Sequence, residues 1–244
     1  MQGRPIQEMF QAIAPRYDFL NRLFSLRRDI RWRRELVEAL RVPKGARILD
    51  MATGTGDVAL EIGRQKGRSI TVWEVDFVFK MLQLGKKKIL ETKHCVDIRQ
   101  AQGDAFHPPF KPGVFDAVTI AFGIRNIADK KTVLKTFYEV LKKGGQVLIL
   151  ELTLPETGYM QRLYLIYFQK VLPMIGRILS GHSSAYGYLP NSVLKFPSPR
   201  DFCKLMEEVG FEKVSYKRLT FGICTLFTGL KAPLYSLHAH FGGN

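Results

Sequence analysis

From Ala46 onward, short apolar runs rich in aliphatic and β-branched residues alternate with longer stretches whose apolar positions recur every three or four residues. The short runs read as strands and the long ones as amphipathic helices. Candidate strands are Ala46–Met51, Ile70–Val75, Val96–Gln100, Phe115–Ala121 and Gln146–Leu152. Helical patterns fall between them at Val58–Arg64, Val78–Glu91 and Lys130–Lys142, the last closed by the helix-stopping pair Gly144-Gly145. Two parallel strands need a crossover long enough to hold a helix, so this alternation predicts an α/β fold with a mostly parallel sheet flanked by helices.

The flanks break the alternation. At the amino terminus, Phe10, Ile13, Tyr17 and Leu20 lie at helical spacing and predict one amphipathic segment over Ile6–Leu23. Between Pro155 and Arg200 the chain is aromatic and punctuated by Pro and Gly, with Tyr159, Tyr164, Tyr167, Phe168, Tyr186 and Tyr188, which reads as an insertion outside the sheet. A helix near Pro199–Val209 and strands near Glu212–Leu219 and Ile223–Leu230, linked around Thr220–Gly222, complete the pattern. The expected division of one domain is a helical cap over 1–44, a cofactor-binding core over 45–154, an aromatic lid over 155–200, a helix and hairpin over 201–231, and a tail over 232–244.

Composition adds limits to this picture. A chain of 244 residues, 46% hydrophobic and 24% charged, is sized for one domain with a full core. The most apolar stretch, Leu163 to Ser180, is interrupted by Lys170, Pro173 and Arg177, too often for a membrane span. The amino terminus lacks a charged-then-apolar signal pattern, so a cytoplasmic setting is expected. Cys95, Cys203 and Cys224 are scattered and form no C-x-x-C pair, which points to small buried residues rather than a disulfide frame or a metal site. The 37 Lys and Arg outnumber 22 Asp and Glu, for a formal charge of +15. That excess favours polyanions, nucleic acid or anionic lipid alike. It concentrates in Arg27-Arg28-Asp29-Ile30-Arg31-Trp32-Arg33-Arg34 and in Lys86-Lys87-Lys88, each readable as a solvated helix face.

Candidate chemistry begins at Asp50-Met-Ala-Thr-Gly54-Thr55-Gly56-Asp57, a glycine-rich turn between a strand and a helix, where backbone can approach a ligand. Gly54-x-Gly56-x-x-Ala59, with Asp76 about 20 residues on, satisfies the loose dinucleotide fingerprint, so spacing leaves NAD and other adenosine cofactors open. For Asp50, Asp57 and Asp116, turn or cap roles and ligand contact both remain open.

With Gly103-Asp104-Ala105 after the third strand and Phe115-Asp116 opening the fourth, the sequence resembles the class I methyltransferases. That resemblance implies a Rossmann-like, seven-stranded sheet and S-adenosylmethionine as cofactor. It places Gly54, Thr55 and Gly56 against the methionine and ribose, Asp76 on the ribose hydroxyls, and Asp104 with Ala105 beside adenine. No metal is implied.

A narrower resemblance spans nearly the whole chain. Met9-Phe-x-x-Ile13-Ala14-x-x-Tyr17-Asp18-x-x-Asn21, Phe122-Gly-Ile-Arg125-Asn126, Leu150-Glu151, Tyr188-Leu189-x-x-Ser192 and Phe196-Pro197 are similar to the ubiquinone/menaquinone biosynthesis C-methyltransferases. It implies a lid made from the amino-terminal segment and the insertion, a lipid-tailed quinol substrate, demethylmenaquinol ahead of a benzoquinol, and catalytic roles for Arg125 and Asn126. The chain departs from the family pattern after Ser25, where only Trp32 and Arg33 remain of a His-x-x-Trp-Arg element. It departs again at Phe106-His107-Pro108-Pro109-Phe110 and at Ala121, in place of a cofactor-contacting serine. Arginine suits a phenolate because its charge persists at any working pH. Asp104, Glu151, His107, Tyr188 and His182 are the candidate bases.

Positive charge and a lipid tail together imply peripheral contact with the inner face of an anionic membrane; a homodimer is left open. The enzymatic rival is an RNA or DNA methyltransferase, but the fourth strand is followed by Phe122-Gly-Ile-Arg-Asn126 rather than Asn/Asp-Pro-Pro-Tyr, and nucleic acid is not the expected partner. The remaining rival is a basic protein that binds the cofactor without turnover.

Overall fold

The structure, a computed structural model, describes residues 3–67, 69–92, 97–156, 158–167 and 183–233. Cys95, Phe168, His182, the side chain of Tyr186 and most of the 232–244 tail lie outside them.

The chain opens with α1 (Gly3–Ile13), α2 (Tyr17–Phe24) and α3 (Arg28–Ala39). The predicted single segment is broken because Pro15, which has no backbone N–H to donate, sits in a 3-10 turn at Ala14–Arg16 between α1 and α2. Then follow β1 (Arg47–Met51), α4 (Asp57–Lys66), β2 (Thr71–Asp76), α5 (Phe79–Glu91), β3 (Asp97–Gln102), β4 (Phe115–Ala121), α6 (Lys130–Val140) and β5 (Leu141–Leu152). The insertion holds α7 (Gly158–Ile166) and α8 (Ser183–Leu194), and the chain ends on α9 (Pro199–Val209), β6 (Phe211–Leu219) and β7 (Cys224–Lys231). α6 stops at Val140, earlier than its pattern predicts, because Leu141 already pairs with Phe115 as the next strand begins.

The seven strands run in the order β3-β2-β1-β4-β5-β7-β6. Pairings among β1 to β5 are parallel, while β7 runs antiparallel to both β5 and β6. Alternation along each strand feeds two cores: Leu49, Ile120 and Ile149 face a layer with Phe137, Phe202 and Met206 of α6 and α9, whereas Ile48, Ala117 and Leu148 face Leu36, Val37, Val58 and Ile62 of α3 and α4. Each fully buried side chain of this size stabilises by roughly 1.5–3 kcal/mol. A smaller cluster packs Ala14, Phe10 and Tyr17 against Val78 and Met81, so the amino-terminal helices dock on α5 over the carboxyl ends of the strands. Cys203 and Cys224 are buried, and burial pushes both thiols up, Cys203 to about 11. No helix of the described residues is long and apolar enough to cross a membrane.

Candidate active site

The strand order reverses beside β1, and ligands of open parallel sheets bind outside the carboxyl ends of the strands at such a switch point. There the chain leaving β1 turns through left-handed conformations at Ala52 (φ 51°), Gly54 (φ 60°) and Gly56 (φ 81°). The turn brings the Gly54 N–H to one oxygen of the Asp76 carboxylate at 2.8 Å, and the Val78 N–H reaches the other at 2.8 Å. Burial pushes the Asp76 carboxyl up, against the pull of these donors. Gly56 caps α4 directly over Glu74, where a Cβ would collide with the carboxylate. Gly54, Thr55, Gly56 and Asp76 are thus one surface. Gly103 donates to the Asp76 carbonyl at 3.1 Å, which sets the Asp104-Ala105 loop beside them. Asp104 itself is exposed and accepts the Phe106 N–H, while Ala105 packs on the core.

Two acids lie beneath the turn. Asp50 accepts the hydroxyls of Thr53 at 2.5 Å and Thr119 at 2.6 Å, and burial raises it to about 6. Asp50 thus holds the turn from beneath, enclosed by the hydroxyls of Thr53 and Thr119. Glu74 is wholly buried, accepts Gln100 Nε2 at 2.6 Å through one oxygen, has no partner for the other, and is raised by burial to about 7.

The amino-terminal helices form the roof. A side chain on Gly54 would touch the Tyr17 ring at 3.4 Å. Asp18 accepts the Thr55 hydroxyl at 2.5 Å and Lys88 Nζ at 2.8 Å, and Lys88 reaches Asp57 at 2.5 Å. Arg22 donates to Asp57 at 2.9 Å and pairs with Asp29, which also accepts Arg33 at 2.6 Å. Burial pushes the Asp57 carboxyl up, but Arg33, Lys88 and Arg22 hold it well below the usual carboxylate range. Arg27, Arg28, Arg31, Arg34, Lys86 and Lys87 are exposed, as a solvated face requires, while the buried Arg33 and the half-buried Lys88 turn inward, and each supplies a cation that ties the amino-terminal helices to the glycine turn. Asp116 belongs elsewhere, pairing with Lys142 and accepting the Arg47 N–H at the opposite end of β1.

After β4, Phe122 adopts φ 59° and the chain folds into a 3-10 turn, Ile124–Asn126. Gly123 permits this, because a Cβ there would lie 2.8 Å from the Ala52 methyl. Arg125 Nη1 donates to Glu151 Oε1 at 2.7 Å and its backbone N–H to Oε2 at 3.0 Å. Burial alone would weaken the guanidinium charge, and the fully buried Glu151 more than restores it. Arg125 Nε is buried with no partner. Asn126 accepts the Tyr188 hydroxyl of α8 at 3.0 Å, which joins the lid to the turn.

Beside Arg125 opens a cavity of about 250 Å³, largely apolar, walled by Trp32, Phe122, Tyr164, Tyr167 and Leu189 and joined by Asn21 of α2. The Asn21 amide nitrogen is also buried without a partner. Two unpartnered N–H donors buried in the wall of an apolar chamber favour a ligand that is mostly hydrocarbon and carries oxygen.

A sequence model of the ubiE/COQ5 methyltransferase family matches residues 1–231. The chain belongs to that family. Similar proteins include the ubiquinone/menaquinone biosynthesis C-methyltransferase of Geobacter sulfurreducens, 47% identical over 94% of this chain and 90% of that one. The demethylmenaquinone methyltransferase of Thermus thermophilus is 43% identical over 91% and 99%. Among solved structures, a methyltransferase from Haloferax volcanii bound to the activator Trm112 superposes with a TM-score of 0.66 at 16% identity over 91% of this chain and 97% of that one. At that identity the likeness concerns the fold alone, and it agrees with the Rossmann-like class I methyltransferase architecture expected from the motifs.

The structure gathers Glu151, Asn126 and Tyr188 about the turn that carries cavity-lining Arg125, and sets Gly54 to Gly56 and Asp76 together beneath Tyr17 and Asp18 of α2. It does not bring His107 there, an exposed residue on the loop after β3. Motif reasoning missed three participants. Glu74 was legible as an acid inside the apolar run Val72-Trp73-Glu74-Val75. Asn21 carries no signal beyond its place in the amino-terminal motif, and the partnership of Lys88 with Asp18 and Asp57 spans 70 and 31 residues, beyond any spacing rule.

Proposed function

We propose that this methyltransferase moves a methyl group from S-adenosylmethionine to a ring carbon of a polyprenyl quinol, with demethylmenaquinol as its natural acceptor and menaquinol as product. The observation that carries the reading is Arg125, a guanidinium held by buried Glu151 in the wall of an apolar cavity, with Nε buried and without a partner. The names of relatives 39–43% identical, demethylmenaquinone methyltransferases, favour the naphthoquinol over the benzoquinol of the ubiquinone branch.

The glycine turn fits the cofactor: Gly54, Thr55 and Gly56 lack or withdraw side chain where it would lie, Asp76 offers ribose hydroxyls a carboxylate, and the Asp104-Ala105 loop adjoins it. When bound, S-adenosylmethionine supplies an electrophilic methyl group for in-line displacement. The chain's own work is to hold the acceptor ring and charge it. Arg125 Nε and Asn21 Nδ2 donate to quinol oxygens, and Arg125 favours the phenolate that makes the neighbouring ring carbon nucleophilic. Asn126, fixed by Tyr188, orients that turn. Among the candidate bases, Glu151 is committed to Arg125 and Tyr188 to Asn126, Asp104 and His107 are exposed, and His182 lies outside the described residues. Arg125 favours loss of the phenolic proton, and the ring carbon that gains the methyl group then gives up its own proton, which restores the aromatic quinol. A lipid-tailed acceptor also brings the protein to the inner face of the membrane as a peripheral enzyme.

The test is product analysis with short-tailed acceptors in reduced and oxidised form. The reduced demethylnaphthoquinol is methylated on carbon, faster than the benzoquinol, and the oxidised quinones are not. Faster benzoquinol turnover would reverse the choice of acceptor, and methylation of the oxidised ring would remove the role of Arg125.

A further inference from the structure

The rim of the cavity carries large apolar side chains in water. Leu26 is 76% exposed and sits in a left-handed conformation, φ 51°, at the corner between α2 and α3. A branched residue gains nothing locally from that conformation. Phe221, 77% exposed with φ 57°, repeats the pattern two residues before cavity-lining Ile223. On α7, Tyr159, Leu163 and Ile166 are exposed at i, i+4 and i+7, one face of the helix, while Tyr164 on the other face is buried. Leu26 and Leu163 line the same cavity, and the Tyr167 hydroxyl donates to the Phe24 carbonyl at 3.0 Å, fastening α7 to the α2–α3 corner. Arg27, Arg28 and Arg162, exposed along this rim, form no ion pair among the described residues.

We infer that the Leu26–Arg28 corner and the outward face of α7 form the surface that docks on an anionic lipid bilayer, so that the cavity mouth opens into the hydrocarbon. Charge complementarity selects this occupant: a second copy of a chain with a net charge of +15 would place like charges together, whereas unpaired arginines around apolar side chains match lipid phosphates around acyl chains. The inference rests on the reading of the acceptor as lipid-tailed, and gives its tail a route that never crosses water.

The experiment is co-sedimentation of the full chain with vesicles of phosphatidylglycerol and phosphatidylcholine, against phosphatidylcholine alone. Arg27→Glu/Arg28→Glu and, separately, Ile166→Asp are compared with the unaltered chain. Neither variant touches the catalytic groups. Binding is expected on anionic vesicles; it falls at least tenfold in Arg27→Glu/Arg28→Glu, since each lost cation removes about a fivefold share of partition, and it falls in Ile166→Asp because a carboxylate on the apolar face cannot enter the acyl chains. Turnover of a tail-less quinol in solution stays unchanged, while turnover of a polyprenyl quinol in the vesicles falls with binding. Vesicle binding unaltered in both variants, no binding by the unaltered chain, or a dimer in light scattering that Ile166→Asp splits would each overturn the assignment. Vesicle binding that the variants abolish, with no quinol methylated by any protein, would uphold the surface and reject the acceptor.

Discussion

Replacing Arg125 with alanine lowers kcat for quinol methylation by about 10²–10³-fold, the usual loss when a donor to a developing oxyanion is removed. The same change takes the cation from Glu151, whose carboxylate is wholly buried and is left with only the backbone N–H groups of residues 125 and 152. Breaking one side of a buried ion pair costs about 3–5 kcal/mol, so activity loss through unfolding has to be separated from loss of chemistry. Two companions make the separation. Arg125→Met with Glu151→Leu removes both charges together; it keeps most of the stability and none of the activity. Arg125→Lys keeps a cation for Glu151 but has no Nε, and should fold while losing at least about tenfold in kcat. Kinetics on a tail-less quinol and thermal unfolding of all three provide the check. An Arg125→Met/Glu151→Leu variant that folds and retains turnover would remove the guanidinium from the reaction.

Gly56→Ala is the second large effect. At φ 81° an alanine is strained by about 1–2 kcal/mol, and its Cβ meets the Glu74 carboxylate, which is enclosed and has nowhere to go. Together these should destabilise by roughly 2–4 kcal/mol and weaken cofactor affinity at least about tenfold. Adding Glu74→Ala removes the collision but not the backbone strain, so the double variant recovers part of the loss, a coupling of about 0.5–3 kcal/mol in a double-mutant cycle of unfolding free energies. Strict additivity would show that the two residues do not meet.

Glu74 also imposes a sign on the pH dependence. Its folded value of about 7 and the value of about 6 for Asp50 lie above the ordinary carboxylate range, so the folded state holds these protons more tightly than the unfolded chain. Their contribution is most favourable below about pH 4 and is lost as pH rises toward 7, the reverse of a paired carboxylate such as Asp57. Glu74→Gln, neutral at every pH, should match the original at pH 5 and exceed it at pH 8 by about 1–3 kcal/mol in denaturant unfolding.

The legible and illegible parts of this molecule divide by the range of the interaction. Strands β1, β2, β4 and β5 were readable because most of their residues are buried on both faces, and short runs dominated by apolar residues leave few alternatives. The glycine turn and the Arg125-Asn126 turn were readable because each is a contiguous motif at the end of a strand. Boundaries failed where a neighbour intervened, as at Val140, where pairing of Leu141 with Phe115 overrides helical periodicity. The inward turn of Arg33 and Lys88 was not legible because exposure of a charged run is a statement about average helices, and only the folded chain shows Asp29, Asp57 and Asp18 converging on them. The unpartnered donors of Asn21 and Arg125 have no sequence signature at all, since being without a partner is a property of packing.

The most direct measurement of the central claim is transfer of labelled methyl from S-adenosylmethionine with reduced demethylnaphthoquinol carrying a prenyl tail and total RNA offered together. The account predicts label in the quinol, bound to a ring carbon and absent in Arg125→Ala. Label in the RNA fraction, or on a quinol oxygen rather than carbon, would contradict it.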